Sequence, residues 1–84
     1  MKISTKGRYA LRILADIAEH GVEKNVPIRE IAERQGFSDK YLEGIVSRLS
    51  SAGLVKSGRG KYGGYRLVKS PAEYNVYEIL YAAE

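Results

Sequence analysis

Apolar residues recur at helical spacing in four stretches of this chain, each bounded by residue types that start or stop helices. Ala10, Ile13, Leu14, Ile17 and Ala18 trace one face of a first helix, capped by Ser4 or Thr5 and running to about His20. A polar loop from Gly21 to Asn25 follows, and Val26 and Pro27 lead into the next element, proline being tolerated at a helix entrance. Ile28, Ile31 and Ala32 mark a short second helix. It stops near Gln35, because Gly36 is the residue type that takes a left-handed helix terminus without strain. Ser38 can accept a hydrogen bond from the free N–H groups that open a third helix, and Asp39 puts negative charge at its positive end. Leu42, Ile45, Val46 and Leu49 then repeat at i, i+3, i+4 and i+7, with Tyr41 and Ala52 flanking the same face, until Gly53 ends the helix. Two short helices joined by a glycine turn predict a helix-turn-helix spanning Val26 to Leu54.

Periodicity changes after Gly53. Leu54 to Ser57 and Tyr65 to Val68 read as short strands, and Gly58, Gly60, Gly63 and Gly64 between them permit a sharp reversal, so a hairpin follows the third helix directly, as a wing would. Lys69 to Tyr74 is a turn-rich connector. Asn75 stands three residues before Glu78, a capping-box-like start, and Val76, Ile79, Leu80 and Ala83 trace an apolar face flanked by Tyr77 and Tyr81. The expected fold is mainly α with a small β-hairpin, a winged helix-turn-helix. One domain covers residues 1–84, with the wing at about 54–68 and a candidate start of a dimerisation helix at about 75–84.

Composition narrows the function. At 84 residues and 44% hydrophobic content the chain supports one small core, for which marginal stability or oligomerisation is expected. It has no cysteine, hence no disulfide, thiolate metal site or cysteine nucleophile, and no cofactor is expected within it. The first apolar run is broken by Arg12, Asp16 and Glu19, which fits neither a signal peptide nor a membrane span; a soluble, cytoplasmic protein is expected. The formal charge is +4, and its placement matters more than its size. No acidic residue lies between Glu43 and Glu73, whereas Arg48, Lys56, Arg59, Lys61, Arg66 and Lys69 do. Clustered cations of this kind are rewarded by counterion release from phosphates, so a polyanionic partner is expected, and beside a helix-turn-helix with a wing that partner is double-stranded DNA. An anionic membrane is the weaker rival, because the basic stretch is glycine-rich and lacks an amphipathic helix.

The polar face of the third helix carries Lys40, Glu43, Gly44, Ser47 and Ser51, residues short enough or polar enough to meet base edges. The same pattern also describes an ordinary amphipathic helix facing water. Glu43 has a specific reading: a carboxylate, repelled by phosphates, can accept from a cytosine amino group. Arg59 and Lys61, beside Tyr62 on a glycine-thinned wing tip, suit a minor groove. Lys6 and Arg8 fall in the first turn of the first helix, where a phosphate would suit both, although either alone is equally a solvated surface cation. His20, the only histidine, reads as a dipole-stabilised surface residue. Gly58 to Gly63 matches GxGxxG, but a strand-like YRLV follows where a dinucleotide fold needs a helix. With one histidine, no cysteine and no clustered acids, no catalytic set is evident and an enzyme is not expected.

The opening MKISTKGRYAL, the central IAERQGFSDKYLEGIVSRLSSAGLVKS and the wing RGKYGGYRL together resemble bacterial winged-helix repressors that include the iron-sulfur cluster regulator IscR and the cysteine-metabolism repressor CymR. The likeness runs through nearly the whole chain. Its opening and YGGY wing are most similar to the CymR branch, and IAERQG is also IscR-like. The resemblance implies a dimeric transcription regulator with the helix at Ser38 to Ala52 in the major groove and the wing at the adjacent minor groove. It implies contacts from Lys40, Tyr41, Glu43, Arg59 and Gly60. Lys40 and Gly44 depart from the residues common there, a small polar residue and Gln, which bears on operator sequence. Such regulators usually continue into a long dimerisation helix, where cluster-binding members carry cysteines, so a truncated form or domain of a longer regulator is expected. The candidate DNA-binding set is therefore Lys6, Arg8, Ser38, Lys40, Tyr41, Glu43, Gly44, Ser47, Arg59, Gly60 and Lys61. The alternative is a winged-helix protein-interaction module without sequence-specific DNA binding.

Overall fold

A computed structural model describes residues 3–22, 24–58 and 63–84. Its elements are α1 (Thr5–His20), α2 (Ile28–Gln35), α3 (Asp39–Ser51), β1 (Val55–Ser57), β2 (Tyr65–Leu67), a 3₁₀ turn (Pro71–Glu73) and α4 (Val76–Ala83). The wing-tip residues Arg59, Gly60, Lys61 and Tyr62 lie outside the described residues.

Local signals set most of these boundaries. Ser4 Oγ accepts from Gly7 N at 3.0 Å and Ser38 Oγ from Tyr41 N at 3.2 Å, which opens α1 and α3 with side-chain caps. Gly36 adopts φ 75° and sends its N–H to the Ala32 carbonyl, ending α2. Asn75 and Glu78 form the reciprocal capping box at α4. A second box joins Ser70 and Glu73, so the connector is itself a short 3₁₀ turn.

One cluster of buried side chains forms the core: Ile13 and Ile17 of α1, Ile31 of α2, Leu42, Val46 and Leu49 of α3, with Leu54, Val55 and Ile79. α1 is its centre, with α2, α3, α4 and β2 all packed on it. At Gly7 α1 and α4 approach closely, since a Cβ there would meet the Leu80 side chain at 2.7 Å.

Four expectations are corrected. On α1, Ala18 is only half-buried, whereas Asp16 is 3% exposed and occupies a core-facing position. On α4, Val76 points outward at 50% exposure; the helix buries Ile79 and Ala83, with Leu80 and Ala82 half-buried, because the helix rotates to set its small residues against its neighbours. The hairpin is shorter than expected: Leu54 is buried but precedes β1, and Val68 lies beyond β2, its N–H donating to Tyr74 Oη at 3.1 Å. Tyr74 Oη in turn donates to the Leu54 carbonyl at 2.6 Å, so one hydroxyl ties the two outer ends of the hairpin together. Finally, the sheet gains a third member. Val26, read as a lead-in to α2, exchanges both backbone hydrogen bonds with Tyr65, at 2.8 and 2.9 Å. Gly64 serves this contact, since at its φ of 152° a Cβ would strike the Val26 carbonyl carbon and oxygen at 2.6 Å. Among the described residues no helix is long and apolar enough to cross a membrane.

Candidate nucleic-acid interface

α3 divides cleanly. Leu42, Ile45, Val46 and Leu49 are buried, and Lys40, Tyr41, Glu43, Gly44, Ser47 and Ser51 are exposed. Of the outward set only Tyr41 is braced by other side chains. Its ring meets Tyr9 of α1 edge-on at 5.6 Å and Phe37 of the α2–α3 turn at 6.5 Å, while Tyr9 and Phe37 lie 4.3 Å apart. Arg12 covers this cluster, with its guanidinium 4.9 Å from the Phe37 ring centroid, and donates to Gln35 Oε1 at 3.1 Å and to the Gln35 carbonyl at 3.2 Å. The start of α3 is therefore wedged against α1 by three aromatic rings.

The sequence pattern did not reveal Tyr9, Phe37 and Arg12 as a unit, because Phe37 lies in the α2–α3 turn, more than twenty residues from the two on α1. Tyr9 alone carried a signal, standing four residues before Ile13 on the inward side of α1.

A second clasp holds α2. Asp16 accepts from Arg34 Nη2 at 2.8 Å, from Arg34 Nε at 3.0 Å and from Gln35 Nε2 at 2.9 Å. Arg34 also reaches Glu30 at 3.4 Å. Burial pushes the Asp16 carboxyl up, but the hydrogen bonds from Arg34 and Gln35, with the charges of Arg34 and His20, outweigh it and hold the group below its ordinary value. His20 Nδ1 lies 3.0 Å from the Asp16 carbonyl oxygen, so the lone histidine is tied to its own helix.

Lys6 and Arg8 are exposed in the first turn of α1, on the part of that helix whose Tyr9 touches Tyr41. Ser38 uses its Oγ lone pair for the cap and keeps its hydroxyl proton. Glu43 takes part in none of the ion pairs among the described residues, including any with Lys40. Gly44 has open space where a Cβ would stand. Part of the basic stretch is engaged internally: Arg48 donates to the Glu84 carbonyl at 3.0 Å, and Lys69 pairs with Glu78 at 3.1 Å. Lys56 and Arg66 remain exposed on the hairpin. Arg59, Gly60 and Lys61, the remaining members of the candidate set, lie outside the described residues.

A capped helix carrying polar side chains outward, preceded by a glycine turn and followed by a strand pair, is matched by a family model. The model for Rrf2, described as an iron-dependent transcriptional regulator, covers residues 3–84. The chain belongs to the Rrf2 family. Protein rrf2 of Nitratidesulfovibrio vulgaris is 45% identical over 84 residues, which are all of this chain and 56% of that protein. The transcriptional regulator IscR of Aliivibrio salmonicida is 48% identical across the whole chain and 50% of its own length. Among solved structures, CymR, the global cysteine regulator of B. subtilis, superposes with a TM-score of 0.93 at 44% identity, covering all of this chain and 65% of that one. IscR of T. potens gives a TM-score of 0.90 at 45% identity and 61% coverage of its chain. The winged helix-turn-helix architecture is thus shared with Rrf2 regulators, and the chain spans about half the length of the curated Rrf2 relatives it matches.

Proposed function

We propose that this chain is the DNA-reading part of a transcription regulator that acts as a repressor by occupying promoter DNA as paired domains. One observation carries the reading: from Lys40 to Ser47, α3 presents a continuous exposed polar face whose side chains are almost unused by the fold, while its start is fixed rigidly by the aromatic wedge. A face so held is suited to a major groove, where orientation within a fraction of an ångström decides which base edges are met. Lys6 and Arg8 supply phosphate contacts that set register, Lys40, Tyr41, Glu43, Gly44 and Ser47 meet the groove, and Arg59, Gly60 and Lys61 follow the adjacent minor groove. Residues 38–52 thus read and residues 54–68 probe. A homodimer would place two such faces on a palindromic site. Exposed Tyr77 and Tyr81, one helical turn apart on α4, support an interface with a second copy.

The family description names iron, yet this chain does not supply a fitting donor set. It contains no cysteine, and the described residues hold no group of three His, Cys, Asp or Glu side chains arranged for a metal. No step of the proposed mechanism passes through iron, and none is catalytic.

The test is a salt titration on a duplex selected from random sequence. With about four phosphates neutralised per domain, the log–log slope should be about −3.6. A flat response between low and physiological salt, or a selection that enriches no sequence, would exclude sequence-specific DNA binding.

A further inference from the structure

The hairpin register contains a repulsive contact. Lys56 stands directly opposite Arg66, both exposed on the same side of the strand pair. Like charges directly opposite one another destabilise a strand pair, and one residue of either sign change would remove the cost. The two cations overlook a cleft of about 530 Å³ between the C-terminal turn of α1, the hairpin and the connector. Lys24 and Lys69 stand on its other sides, and Ala18 and Leu67 contribute apolar surface. None of the lining side chains among the described residues is acidic. The carboxylates nearest to these cations belong to Glu30, 4.0 Å from Lys24, and Glu78, 3.1 Å from Lys69, and neither lines the cleft. Glu23 lies outside the described residues.

We propose that this cleft binds a small phosphorylated molecule with a compact apolar or planar body. Lys56 and Arg66, in none of the ion pairs among the described residues, with Lys24 and Lys69 also lining the cleft, suit a phosphate, and the Arg66 fork can hold two of its oxygens at once. The end of α1 contributes the opposite sign, since helix C-termini carry partial negative charge, so the side chains must hold the anion without help from the helix. A volume of this size is in the range of small-molecule sites. The site lies away from the reading helix, and its Lys56, Arg66 and Leu67 belong to the hairpin proposed to probe the minor groove. No residue of α3 lines it, and thirteen residues of α1 at 1.5 Å each put the Gly21 end about 20 Å from Arg8.

The experiment uses the 84-residue chain with inorganic pyrophosphate and AMP as probes, each titrated at fixed ionic strength while backbone amides are followed by NMR. Saturable shifts are expected at Lys24, Lys56 and Leu67, with AMP additionally moving Ala18, and none at Ser38 to Glu43. Arg66→Gln should weaken binding about tenfold, the loss expected for a charge-assisted hydrogen bond. In a separate melt at low salt without probe, Lys56→Gln should raise Tm, because it removes the repulsion. Shifts that do not saturate, that ignore Arg66→Gln or that centre on the start of α3 would overturn the site. So would a fall in Tm for Lys56→Gln, which would show the cations already paired, or displacement of pyrophosphate by duplex DNA.

Discussion

Glu43 and Gly44 are adjacent on α3, equally exposed, and carry opposite expectations. Glu43 has no ion-pair partner among the described residues, so removing its carboxylate takes nothing from the fold. Glu43→Ala should leave affinity for unrelated duplex unchanged or higher while discrimination at one cytosine position drops by about 1–3 kcal/mol. Single-base operator variants compared at fixed salt check this; an equal loss on every duplex would make Glu43 structural. Gly44 sits mid-helix beside open space, where glycine costs backbone entropy and gains no packing. Gly44→Ala should therefore stabilise the chain by about 0.5–1 kcal/mol, which for a domain of this size is a rise of a few degrees in Tm. An unchanged or lower melting temperature would contradict the open geometry. Single-residue signals of this sort were legible beforehand wherever the partner was local. Ser38, Asn75 and Gly36 act on backbone within a few positions of themselves. Asp16 was not legible, because its partners stand eighteen and nineteen residues away and it reads in isolation as a charge interrupting an apolar face.

The two helices of the reading motif are fastened to α1 by different chemistry, α3 by aromatic rings and α2 by an ionic clasp. The clasp makes an element-scale prediction. With the Asp16 carboxyl held below its ordinary value, its contribution is complete above the unfolded-state value of about 3.9 and is lost as pH falls through the lower folded-state value. Asp16→Asn should cost about 1.5–3 kcal/mol near neutral pH, the range for hydrogen bonds to a charged group. The gap between variant and parent should narrow on acidification below about pH 4 in denaturant titrations. A gap independent of pH would show that Asp16 acts only by shape. At this scale the periodicity identified every helix and both strands. It missed the pairing of Val26 with Tyr65, since a single bridging residue leaves no alternation to detect, and it put Val76 on the inward face of α4 together with Ile79, Leu80 and Ala83, which do lie there. In so short a helix the difference between Val76 and Ala82 facing inward is decided by Gly7 and the surface of α1, which lie far away in sequence.

For the whole molecule, the exposed aromatic pair on α4 is the feature that asks for company. Tyr77 and Tyr81 are 69% and 87% exposed, so replacing both with serine removes apolar surface from water without opening the core. Sedimentation at rising concentration should show weak, reversible self-association in the parent chain and none in the Tyr77→Ser, Tyr81→Ser double variant. A parent that stays monomeric at every concentration, or a double variant that associates equally, would remove α4 from the interface. The close approach of Leu80 to Gly7 has a further bearing, on the order in which the molecule can assemble. Of the elements described, α1 leaves the ribosome before the others and α4 after them. Until α4 arrives, the surface beside Gly7 has nothing to cover it, and the pieces made in between rest on a helix that is still open on one side. The nascent segment from α1 to β2 should therefore stay sensitive to proteolysis and become resistant in a single step, once α4 has emerged to meet α1.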